Sequence, residues 1–125
     1  MTDQRQDLGG GGEESSIPCP FRDGGAREWE AWLNAMPGSD PKTLIVVGEV
    51  ETQRGYAGRL ELTYMDKMMP PNQHADLTLV ESPGAPGGWQ GIRAEERTDQ
   101  QKYGSVIIHC HGEVLATISP VPIVV

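Results

Sequence analysis

Along the last third of the chain, apolar and polar positions alternate with period two. Val106, Ile108 and Cys110 share one face, and Val114, Ala116 and Ile118 share the matching face of a return segment. His111 and Gly112 between them supply the length and the glycine of a tight hairpin turn. The same period runs upstream, where Leu60, Leu62 and Tyr64 are expected inward, as are Leu77 and Leu79, and residues 89–95 read as a further strand. Leu44, Ile45, Val46 and Val47 are apolar on both faces, as in a central strand, before alternation resumes through Val50. Residues 83–88 hold three glycines, two prolines and an alanine, a turn signal. Residues 121–125 add a short last strand, which Pro120 and Pro122 assign to a sheet edge.

One segment follows a different period. Trp29, Trp32, Leu33 and Met36 stand at i, i+3, i+4 and i+7, the spacing of one helical face, which predicts a helix over residues 26–36 closed by Pro37 and Gly38. The two tryptophans would then cover a sheet. Residues 1–18 are polar and include four consecutive glycines, so they are expected to form a flexible tail ahead of a single domain over 19–125. About seven short strands at roughly ten-residue spacing predict a mainly β fold. It is an antiparallel β-sandwich (Ig-like) or a small open barrel, with one short N-terminal α-helix.

Composition narrows the function classes. The chain has 125 residues and a net charge of −8, with ten scattered Lys and Arg against eighteen acids, which excludes nucleic acid as a partner. No apolar run approaches the ~20 residues of a membrane-spanning helix. Met1 and Leu8 are the only large apolar residues among the first sixteen, so the chain as written reads as cytoplasmic and leaderless.

Chemistry-bearing residues are few. Cys19 and Cys110 are either two buried thiols or a disulfide that ties the pre-helix segment to the last hairpin, and the disulfide requires an oxidising compartment. His74, His109 and His111 are the candidate metal ligands, because His109 and His111 stand at i and i+2; a zinc site would need further ligands, and His111 falls in the turn. Glu13-Glu14 and Glu95-Glu96 lie in polar segments that offer no burial to raise a carboxyl pKa. There is no G-x-S-x-G elbow and no phosphate loop, so the chain is expected to be neither an enzyme nor the holder of a cofactor. Tyr64, Met65, Met68 and Met69, beside Pro70-Pro71, offer flexible apolar contact area and form the candidate loop for an as yet unidentified protein partner.

Three segments carry a resemblance: Ala26-Arg27-Glu28-Trp29-Glu30-Ala31-Trp32-Leu33-Asn34-Ala35-Met36-Pro37-Gly38, then Leu44 to Val50 followed by Gly55-Tyr56, then Val106 to Gly112. Together the chain resembles a group of small uncharacterised bacterial β-sandwich proteins with an RxWxAWxNxMPG motif, often secreted or lipid-anchored. The resemblance spans about residues 19–119 and implies fold and export, with no activity attached. With the cysteine pair it tilts the expected compartment from the cytoplasm to the periplasm or the exterior. The Gly55-Tyr56 turn is also similar to that of bacterial peptidase-inhibitor modules, for which residues 83–88 would be the presented loop. The expected function is therefore non-catalytic protein binding or envelope association, with metal binding and peptidase inhibition as alternatives.

Overall fold

The computed structural model describes residues 18–38 and 41–125. The tail expected over 1–18 lies outside the described residues except for Pro18. The described residues form eight strands in chain order: β1 (Ala26–Asn34), β2 (Lys42–Thr52), β3 (Tyr56–Met65), β4 (Asn72–Glu81), β5 (Gly88–Thr98), β6 (Ser105–Cys110), β7 (Glu113–Ile118) and β8 (Ile123–Val124). They form two four-stranded sheets, β5-β2-β1-β8 and β3-β4-β6-β7, facing each other as a β-sandwich rather than a closed barrel. Both sheets are mixed, not antiparallel as expected, because β1 pairs β8 and β4 pairs β6 in parallel.

The predicted helix is a strand. Residues 26–34 form β1, which pairs along β2, and the described residues contain no helix. The cause is a bulge: Arg27 opposes Glu49 and Glu30 opposes Val47, leaving Glu28 and Trp29 opposite Gly48 alone. Glu28 takes the left-handed backbone (φ 60°) that the extra residue demands. Beyond the bulge Ala31 and Leu33 point inward and are buried, and Trp29 lies on the same side with its ring flat on the bare Cα of Gly48. Before it, Arg27 points outward, bonds Glu49 (2.8 Å) and sits 3.7 Å over the Trp89 ring. Trp32 faces away from the core, and Met36 lies beyond the strand, 47% exposed. The apparent helical stripe thus combines two strand faces with a connecting segment.

The core lies between the sheets. Leu33, Leu44, Val46, Val50, Leu77, Val106 and Ile108 are all fully buried. Burial of such side chains stabilises by about 1.5–3 kcal/mol each, which offsets part of the entropy lost on ordering the chain. Phe21 caps one end of this core and is fastened by the Cys19–Cys110 disulfide, whose Cα atoms are 5.4 Å apart. Of the two readings of the cysteines, the structure carries the bonded one. At the β3–β5 side, the Gln90 side chain joins the sheets: its Oε1 accepts from Gly58 N–H, and its Nε2 donates to the Thr52 hydroxyl.

The hairpin turn falls where expected. Cys110 pairs Glu113, and His111 and Gly112 both have positive φ, as in a type I′ turn. Two expected inward side chains are reversed by bulges. An irregularity between Leu62 and Tyr64 turns Tyr64 outward, opposite His74. Another between Ile108 and His109 pairs His109 with Val114, which is 58% exposed, while Ala116 and Ile118 keep the inward face. Leu79 shares the face of Leu77 but sits at the rim, 38% exposed.

Candidate functional site

The outer face of the second sheet gathers the chemistry-bearing residues at the β3–β4 end. Tyr64 on β3 opposes His74 on β4. The parallel register sets His74 beside Ile107 and Asp76 beside His109. Two of the three predicted histidines, His74 and His109, therefore meet although 35 residues separate them; Nδ1 of His74 is 2.8 Å from Nε2 of His109. His111 stays in the hairpin turn, exposed.

The two imidazoles are 15° from coplanar with centroids 5.0 Å apart. That separation holds little more than two ring radii and the 2.8 Å bond, so the rings lie end to end, each nitrogen aimed at the other. The ring of Tyr64 covers one face of His74 at 4.3 Å and 6°, which fixes the plane of that imidazole.

Asp66 organises the other side of His74. Its Oδ1 accepts from the backbone N–H groups of Met68 (3.1 Å) and Asn72 (3.0 Å), and its Oδ2 accepts from Asn72 Nδ2 (3.0 Å) and His74 Nε2 (3.2 Å). The Asn72 backbone bond leads the causes, with the Asn72 amide, Met68 and His74 adding to it, that hold the Asp66 carboxyl far below the usual carboxylate range. An ionised carboxylate only accepts, so Nε2 of His74 carries the proton. In neutral His74 the Nδ1 lone pair is then free, and His109 donates to it through Nε2–H.

The same carboxylate closes the β3–β4 loop. Asp66 N–H donates to the Asn72 carbonyl, so the two residues are bonded in both directions. Asn72 is anchored in turn, its Oδ1 accepting from the Ser105 hydroxyl (2.8 Å), while Gly104 N–H donates to the Pro71 carbonyl (2.8 Å). Buried Gln73 donates to the carbonyls of Tyr64 and His74. On this braced frame Met68 is 61% exposed and Met69 93% exposed, with Tyr64 and Met65 also open. Beside Met69 runs a shallow groove of about 460 Å³, lined by Pro70, Pro71 and residues 99–102.

Other surfaces offer less. A larger open basin of about 690 Å³ lies on the outer face of the first sheet, but its arginines are already paired, Arg27 with Glu49 and Arg93 with Glu95. The loop over residues 83–88 folds onto the β2–β3 turn, where Gly55 N–H donates to the Ala85 carbonyl and Ser82 N–H to the Gly55 carbonyl. Among the described residues no three or more His, Cys, Asp or Glu side chains are arranged to hold a metal ion, and no helix is long and apolar enough to cross a membrane.

Sequence reasoning missed Asp66 and Asn72. The available signal was an aspartate followed six residues later by an asparagine across Pro70-Pro71, a pairing that favours side-chain to backbone bonds in tight loops. Comparison with protein-family models, curated proteins and solved structures gives no match to this chain.

Proposed function

We propose that this chain is a non-catalytic binding domain that docks a protein partner through the Asp66-braced loop, with Met68 and Met69 as its apolar contacts. One observation carries the reading: two methionines stand open to solvent on a loop held by one aspartate, whose carboxylate accepts two backbone N–H groups and the Asn72 side-chain amide and whose own N–H donates to the Asn72 carbonyl. A preorganised loop pays little entropy on binding, and thioether side chains adapt to an irregular apolar surface. The groove beside Met69 gives such a partner a place for a projecting side chain. The Cys19–Cys110 bond supports an exported or envelope-associated setting, in which disulfides persist.

The test is site-specific photocrosslinking in the native host. A photoreactive residue at position 68 or 69 is expected to capture the same single protein. The same residue at the exposed Gln53 is expected to capture nothing, and a crosslinker at Lys67 is expected to lose the product in Met68→Ser/Met69→Ser. Equal capture from all positions, or none from the loop, refutes the reading.

A further inference from the structure

The end-to-end imidazole pair is a different feature from the methionine loop, and it asks for its own account. In-line nitrogens facing each other suit one coordination geometry, the linear two-ligand arrangement, and soft monovalent d10 ions are the ones that accept it. Zinc takes four ligands in tetrahedral sites, and the described residues assemble no third or fourth here. Metal-binding histidines characteristically donate their second ring N–H to a carboxylate, which fixes the tautomer and aims the free lone pair at the ion. His74 has that arrangement: Nε2 faces Asp66 and Nδ1 faces His109.

We propose that His74 and His109 form a two-coordinate site for a soft monovalent metal ion, Cu(I) with Ag(I) as its redox-inert equivalent. The ion enters in line between Nδ1 of His74 and Nε2 of His109, in place of the proton that now joins them. Two metal–nitrogen bonds of about 2.0 Å span about 4 Å. The rings, now 2.8 Å apart at these nitrogens, therefore separate by roughly 1 Å. His109 makes that movement, since it lies half-exposed on the sheet surface, whereas His74 is held by Tyr64 and Asp66. From the neutral pair the ion displaces the Nε2 proton of His109, which is taken up at His109 Nδ1 through solvent. No net proton is released, and no electron is transferred. His111, the third predicted ligand, takes no part.

Ag(I) titration of the full chain, followed through the imidazole ¹⁵N resonances, tests this. His74 Nδ1 and His109 Nε2 are expected to move together to metal-bound shifts at one equivalent, with His111 unchanged. Zn(II) at the same concentration is expected to move none of them. His109→Gln, checked for an unchanged amide spectrum, is expected to lose the one-equivalent site. Asp66→Asn is expected to weaken it about tenfold, as removal of a carboxylate behind a metal-bound histidine does. Met65→Leu/Met68→Leu/Met69→Leu is expected to leave it intact while keeping the apolar loop on which docking depends, so failure of either proposal is seen separately. Binding lost in that variant, shifts centred on His111, or zinc binding as tight as silver overturns the proposal.

Discussion

Gly48→Ala is expected to change sign with its neighbour. In the native chain a Cβ at position 48 falls inside the contact radius of several atoms of the Trp29 ring, a rigid half-buried group rather than a flexible side-chain end. Overpacking of this kind destabilises by about 1–3 kcal/mol. Once Trp29→Ala removes the ring, the three nearest neighbours of that methyl are gone. Alanine then gains the roughly 0.5–1 kcal/mol that glycine forfeits inside a strand. The coupling in the double-mutant cycle is therefore about 1.5–4 kcal/mol, outside the ~0.5 kcal/mol scatter of independent sites. Urea unfolding of the four proteins, followed by far-ultraviolet circular dichroism to avoid the altered tryptophan signal, measures it. Equal cost of Gly48→Ala in both backgrounds would refute the packing of Trp29 on Gly48.

Other outcomes follow from the same structure. Cys19→Ser/Cys110→Ser opens a loop spanning 91 positions and is expected to lose about 4–5 kcal/mol in the chain-entropy model, read as a lower urea midpoint. Leu33→Ala removes a fully buried side chain between the sheets and is expected to cost about 3–5 kcal/mol by the same assay. The Asp66 carboxyl is held below its unfolded value, so its bracing is complete above the ordinary carboxylate range and fades only as pH falls through the lowered value. The Met68 and Asn72 amide signals should accordingly stay fixed from pH 7 down to about 4, whereas Asp66→Ala should speed amide exchange at Asn72 at neutral pH.

The parts of the fold that rest on local alternation were legible. The inward run of Val106, Ile108 and Cys110 and the turn at His111-Gly112 are consequences of period two and of glycine, and both are as expected. Where a bulge inserts a residue, parity changes without any mark in the hydrophobic pattern, so Tyr64 and Val114 exchange faces. The tryptophan segment failed for the same reason, since a bulge at Glu28-Trp29 places apolar residues at spacings that mimic a helical turn. At the site, residue types were readable but their meeting was not. Only the parallel β4–β6 register, a long-range property, brings His74 to His109 and leaves His111 aside. Asp66 acts through backbone amides, and no residue-type cluster announces such a role.

The Cys19–Cys110 bond also decides how the domain bears load. It closes a covalent ring that contains β1 through β6; among the described residues, β7 and β8 are the strands beyond it. Tension applied to the two ends of the chain crosses from residue 19 to residue 110 through sulfur and bypasses six strands. Of the described strands, β7 and β8 are the ones such a pull can peel in the oxidised protein, and the loop bearing Met68 and Met69 lies inside the ring, shielded from it.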